Sequence, residues 1–226
     1  MIGVAAGIDA LGLQDLALFS LTVLVLNATP GVDLVYTVTR TQQHGVRGGL
    51  AAALGIGLGC IVHALAAAFG LAALLAASAA AFDVLKLAGA TYLLWLGAGL
   101  LRRAIRAAPG ASSAAQPDAL VSVAAPLGAI LRQGLLTNVL NPKVAIFFLA
   151  LLPQFIAAQA PHKTLAFLAL GGWFVVQGML FLAALVLGIA PLRRWRPGTA
   201  VRRGFDGAAG ALFVGLAARL ALAERG

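Results

Sequence analysis

The sequence predicts an all-α membrane protein of about six transmembrane helices, arranged as two inverted three-helix halves with helices one and four broken. Three observations predict it. First, 62% of the 226 residues are hydrophobic and only 10% are charged, against roughly 25% charged in a soluble domain. Second, the apolar residues fall in runs long enough to cross the hydrocarbon, which takes about 20 residues of helix. Third, the basic residues stand almost wholly between those runs.

The first run covers 16–38. The next continues uncharged from Gly48 to Phe82, too long for one crossing, so it divides into a second span at 48–70 and a third at 81–101, with a turn at the Ala/Ser-rich 76–80. Residues 104–127 carry Pro109, Pro117 and Pro126 with Ser112, Ser113 and Gln116, the composition of a loop. A fourth span lies within 129–158 and is broken at Asn141-Pro142-Lys143. The fifth covers 164–190 and the sixth 206–223, with Arg219 near its end. The chain thus reads as one transmembrane domain over 1–226, with half one at 14–103, a cytoplasmic loop at 104–127 and half two at 128–226.

The net charge of +9 comes from 16 Lys and Arg against 7 Asp and Glu. In a soluble chain this would suggest nucleic acid. Here the arginines cluster at Arg40/Arg47, at Arg102/Arg103/Arg106 and at Arg193/Arg194/Arg196/Arg202/Arg203, without interleaved aromatics. Their expected partner is the lipid bilayer and its anionic headgroups, with no nucleic acid. The positive-inside rule then places the loops after spans one, three and five in the cytoplasm and both termini outside. The first positive side chain is Arg40, and Asp9 and Asp15 precede the first apolar run, so that run is expected to be a retained helix rather than a cleaved leader. The single cysteine, Cys60, permits no intramolecular disulfide.

The two halves share a faint repeat. Asn27-Ala28-Thr29-Pro30-Gly31 breaks span one, and Asn138-Val139-Leu140-Asn141-Pro142-Lys143 breaks span four. Each break falls in the first helix of a three-span half, and three being odd, the halves enter the membrane with opposite orientations. Paired Pro/Gly-interrupted helices at corresponding positions point to a transporter's central site.

Threonine is a good N-cap and proline fits the first helical position. Thr29-Pro30 and Asn141-Pro142 therefore each predict a fresh half-helix whose free N–H groups and positive dipole end can hold a carboxylate. The structural alternative is a proline kink with its carbonyls satisfied by neighbours. Asp33 is the only acid within span one, and an ionisable residue in a spanning helix is a functional candidate. It can meet a substrate ammonium or carry a proton; otherwise it pairs with Arg40 or Lys143. Lys143 can complete a carboxylate site or snorkel toward headgroups. Asn138 and Asn141 are amides in an apolar helix and need partners. The candidate binding residues are thus Pro30, Gly31, Asp33, Asn138, Asn141, Pro142 and Lys143, with Asn27, Thr29, His63 and Gln177 behind them. Gly55 and Gly59 form a small-xxx-small face suited to helix contact, and Asp83 and Lys86 can pair on one helix face.

The ordered set of motifs resembles the LysE/RhtB family of amino-acid exporters. The resemblance rests on Pro30-Gly31-Val32-Asp33, Arg40, Gly45, Arg47, Gly49, Leu50, Ala53-Leu54-Gly55, Gly59 and His63. It continues through 85–97, 134–143, Leu152-Pro153-Gln154-Phe155, and Phe205-Asp206-Gly207 with Gly210 and Gly215. Val32 stands where that family typically has a second proline. The resemblance implies proton-motive export of amino acids or close derivatives across a bacterial inner membrane, with an amino acid as the small-molecule partner. Homodimerisation is left open.

Three other readings compete. An intramembrane enzyme needs a nucleophile–base pair or a metal cluster, which three histidines and one cysteine do not suggest, so no enzyme and no cofactor is expected. Metal-ion export asks for a ligand set that Cys60, His63 and Asp33 do not form, so no metal site is expected. A non-transporting scaffold needs neither the paired breaks nor Asp33. No Gly-x4-Gly-Lys-Ser/Thr motif occurs, so an ion or substrate gradient supplies the energy.

Overall fold

A computed structural model describes residues 10–71, 73, 79–106, 125–157, 159–189 and 199–222. Its regular elements are helical, and the chain is an all-α membrane protein as its composition predicts. Two helical stretches, Val32–Leu71 and Lys163–Ile189, are long and apolar enough to cross a membrane, each with a mean hydropathy of 2.1. Residues 76–78 of the expected turn, most of the 104–127 loop, the arginines at 193–196, and the side chains of Asp83 and Lys86 lie outside the described residues; 79 and 80, placed in that turn by the sequence, are helical.

α1 (Leu16–Ala28) stops at Thr29, whose N–H and hydroxyl both donate to Val25 O, at 2.9 and 2.6 Å. Pro30 has no N–H with which to continue the ladder. α2 (Val32–Ala66) then starts from an extended Gly31. Thr29 is thus a C-terminal cap, and the expectation that it N-caps the next half-helix with Pro30 in the first position is corrected. In the absence of a free Thr29 hydroxyl, Gly31 takes the cap position and α2 begins two residues after Pro30.

α2 is broken at Gly45, where φ is 64° and ψ −160°, a conformation open in practice only to glycine. The chain folds back there. A side chain at Gly49 would run into Thr41 Oγ1, although eight residues of straight helix would separate the two by about 12 Å. The first arm of α2 therefore reaches residue 44 and the second starts at 46, where the sequence suggested ends at 38 and 48. Arg40, Gln42 and Gln43 read as a loop, yet they stay helical because Arg40 finds acceptors on Gln43 and Gln133. The change of boundary puts the Thr29–Gly31 break midway between two 13-residue rods, each about 20 Å long.

A wide turn at Ala67–Leu71 ends the second arm. α3 (Ala79–Arg106), α4 (Leu127–Val139) and α5 (Pro142–Ile146) follow, and α5 runs on through Phe147–Leu151 and Leu152–Phe155. α4 and this second rod meet at 48°. Pro153 lacks an N–H and its ring crowds the carbonyl four residues back; the rod widens over the turn before it. α6 (Lys163–Ile189) and α7 (Thr199–Leu222) complete the set.

Small residues let the helices approach. Gly55 meets the Leu131 carbonyl, and a Cβ at Gly134 would lie 2.7 Å from Ala52 O, so α4 rests directly on the backbone of α2. Gly97 and Gly210 do the same between α3 and α7. The core between them is aromatic: Phe19 meets Phe155 edge-on at 5.1 Å, and Phe174 packs on Phe147 and Phe148 at 5.0 and 4.8 Å. Leu54, Leu58, Ile61 and Leu65 form an exposed stripe on α2 that continues to Phe69 in the turn after it, and Trp173, Val176, Leu180 and Leu187 form another on α6. Such stripes match lipid. The N-terminal segment is pinned by Gln14 N–H to Phe155 O (2.9 Å), Ala157 N–H to Gly12 O (2.8 Å) and an Asp15–Arg219 ion pair.

Candidate functional site

The two helix breaks face each other, and each supplies the polar partners of the other. Asn141 caps α5: its Oδ1 accepts from Lys143 N–H at 3.0 Å and Pro142 takes the first helical position, as the Asn-Pro grammar predicts. The other end of the same amide donates to Asp33 Oδ2 at 2.9 Å. Asn138, fully buried in the last turn of α4, donates to that same oxygen, also at 2.9 Å. Asp33 Oδ1 is buried with no hydrogen-bond partner.

Lys143 makes the return contact. Its Nζ donates to Leu26 O at 2.6 Å and to Thr29 O at 2.9 Å, the carbonyls left over at the end of α1. Asp33 in turn sits in the first turn of α2. The carboxylate thus lies at a positive helix end and the ammonium at a negative one, the favourable sense for both. Asp33 does not form the ion pair with Lys143 or Arg40 that is the structural alternative; among the described residues the ion pair is Asp15–Arg219. The helix ends and the two amides hold the charges apart.

The remaining candidates sort around this pair. Asn27 Nδ2 donates back to Val23 O at 2.9 Å, and its side chain faces Gly178 of α6. A Cβ at Gly31 would lie 3.4 Å from Lys143 Nζ, so glycine leaves the ammonium its room. His63 stands behind the site: its Nε2 donates to Asn138 O at 3.1 Å and its ring stacks on Phe148. Pro30 and Pro142 are exposed and act by breaking the helices. Gln177 is elsewhere: its Nε2 donates to Ser20 O at 2.7 Å and ties α6 to α1, beside a Trp173–Ser20 bond.

Asp33, Lys143, Asn27, Thr29, Gly31 and Asn141 line one cavity together with residues of α2 and α6. Its free volume is about 30 Å³, room for one or two waters and too little for an amino acid. One to two turns along α2 from Asp33, Tyr36 O–H donates to Ile130 O (2.8 Å) and Arg40 donates to Gln133 Oε1 (2.6 Å), with the guanidinium 5.2 Å from the Tyr36 ring centre. These contacts fasten α2 to the start of α4. Sequence reasoning missed the cavity's other wall, which includes Gly57, Cys60, Phe174 and Met179. Apolar residues at helical spacing carry no signal that separates lining from packing.

This geometry coincides with a family match over nearly the whole chain: the family model of the LysE type translocator fits residues 24–224. The chain belongs to the LysE type translocator family. The translocator is 34% identical over 214 residues to an uncharacterized membrane protein of Pseudomonas aeruginosa, covering 94% of this chain and 97% of that one. It is 32% identical over 206 residues to the homoserine/homoserine lactone efflux protein of Salmonella typhimurium, covering 91% and 95%. With the leucine efflux protein of Salmonella choleraesuis it shares 31% identity over 194 residues, covering 85% and 87%. No solved structure matches it.

Proposed function

We propose that this translocator exports amino acids or close derivatives from a bacterial cytoplasm, binding the substrate's α-ammonium at Asp33. The observation that carries this reading is Asp33 Oδ1, a buried carboxylate oxygen without a partner on a cavity that also holds Lys143. An unpaired anionic oxygen in low dielectric is costly, and a cationic ligand offsets that cost. Lys143 uses two of its three protons on carbonyls and beside it stand the first N–H groups of α2, a setting for a substrate carboxylate. Relatives are named for efflux of homoserine, its lactone and leucine. The group common to all three is the α-ammonium, since the lactone has no free carboxylate.

In this reading six spans cross the inner membrane, the first being α1 with the first arm of α2 and the fourth α4 with the rod beyond it. Both breaks then fall near the midplane, in oppositely directed helices. The small cavity is an occluded state, and the Tyr36–Arg40–Gln133 contacts close it toward the cytoplasm. Protons drive export, with Asp33 exchanging a proton for the substrate ammonium.

The test is counterflow in proteoliposomes. Labelled leucine or homoserine should exchange with unlabelled amino acid, N-acetyl derivatives should not compete, and an imposed pH gradient should drive net flux. Equal competition by N-acetyl-leucine would contradict ammonium recognition, and flux indifferent to the gradient would remove the proton.

A further inference from the structure

The cavity has two unlike sides. Its polar groups all come from the two helix breaks, between Asn27 and Asp33 and at Asn141 and Lys143. The opposite wall, built by Ile56, Gly57 and Cys60 of α2 and Phe174, Met179 and Leu182 of α6, offers a substrate no hydrogen-bonding group stronger than a thiol. Across that wall the Met179 side chain lies flat on Gly57. A Cβ at Gly57 would meet Met179 Sδ and stand 3.1 Å from its Cγ and 3.6 Å from its Cε. The bare Gly57 backbone therefore makes a slot, and the thioether fills it.

We propose that this slot is the side-chain subsite of the substrate and that Met179 is its displaceable plug, which assigns the translocator to neutral amino acids with apolar side chains of leucine or methionine size. The inference rests on the ammonium reading of Asp33 and adds the side-chain class. The size follows from the plug: beyond Cα, methionine and leucine side chains each have four heavy atoms. A methionine is also suited to the task, being unbranched with three rotatable bonds and adaptable in its packing. It can swing clear without moving α6, while Val175 and Leu182, one turn to either side on the same helix face, stay as walls. Chemistry sets the class. Among the described lining residues Asp33 is the one carboxylate, already engaged by the α-ammonium, so a cationic side chain has no counter-charge there. A hydroxyl in the slot loses its water hydrogen bonds without replacement.

The experiment is competition against labelled-leucine counterflow by leucine, methionine, phenylalanine, homoserine and lysine, in wild type and in Met179→Ala at matched protein. Leucine and methionine should compete at concentrations about tenfold lower than homoserine or lysine, the discrimination a hydrophobic slot typically provides. Met179→Ala should enlarge the slot and raise phenylalanine competition relative to leucine by about fivefold or more. Homoserine or lysine competing as well as leucine in wild type would overturn the apolar subsite, and that arm needs no variant to fold. An unchanged phenylalanine-to-leucine ratio in folded Met179→Ala would overturn the plug. Exchange of lysine or homoserine without leucine would leave the export reading standing and sink the side-chain class alone; no exchange of any α-amino acid would overturn both.

Discussion

Asp33 and Lys143 share one cavity without touching, and each is held by groups from the other half of the chain. Asn138 and Asn141 grip one carboxylate oxygen, while the ammonium seals the carbonyls of Leu26 and Thr29 at the end of α1. The two breaks are therefore one polar unit, and motion of one half relative to the other must exchange these bonds.

A charge swap separates substrate binding from internal pairing. In Asp33→Asn/Asn141→Asp the carboxylate moves across the contact and an amide–carboxylate bond can reform. Protein yield should be near that of wild type both in Asp33→Asn alone and in this pair, while counterflow in the pair should stay about tenfold or more below wild type, since the oxygen that meets the ammonium has moved. Recovery of yield and flux together would make Asp33 an architectural residue.

Lys143→Met keeps the length of the side chain and removes the donor to Leu26 O and Thr29 O. If Lys143 also meets the substrate carboxylate, homoserine transport should fall by about tenfold more than transport of homoserine lactone. An equal loss for both would confine Lys143 to sealing α1.

Gly45 carries the reversal inside α2 at φ 64°. Gly45→Ala should lower Tm in detergent by about 2–8 °C, from a left-handed penalty of about 1–2 kcal/mol. Gly99→Ala, in open space on α3, is the control and should leave Tm within about 2 °C. Equal stability of both variants would mean that the turn is not fixed by this glycine.

The fold class was legible because lipid demands long apolar helices, and the α5 start was legible because Asn141-Pro142 is local grammar that nothing else overrides. Thr29-Pro30 has the same grammar, yet the threonine turned back to Val25 O, an option open to any hydroxyl at a helix end. Gly45 hid within a polar stretch whose Arg40 and glutamines resemble a loop until Gln133 supplies an acceptor from α4. Asp33, Asn138, Asn141 and Lys143 stood out as polar residues in apolar helices. That Asp33 would meet the two amides and leave Lys143 alone depends on how α4 lies on α2, through contacts at Gly55 and Gly134. The slot between Gly57 and Met179 was invisible for a related reason: a glycine facing a methionine is also how helices simply pack.

Arg102, Arg103 and Arg106 end α3 on the side expected to be cytoplasmic. Arg106→Cys in a Cys60→Ser background, exposed at the end of that helix, should react with an impermeant maleimide in inverted vesicles and not in intact cells. Labelling in intact cells would reverse the orientation.

The central claim is that the Asp33 carboxylate binds what is carried. Asp33→Asn keeps the size of the side chain and removes the charge, and an amide is easier to bury than a carboxylate. Counterflow in proteoliposomes, with the variant quantified, measures it most directly. The account predicts a folded protein whose exchange falls by at least about tenfold, the loss of more than about 1.4 kcal/mol expected for a desolvated charge contact. Wild-type exchange in Asp33→Asn would contradict it.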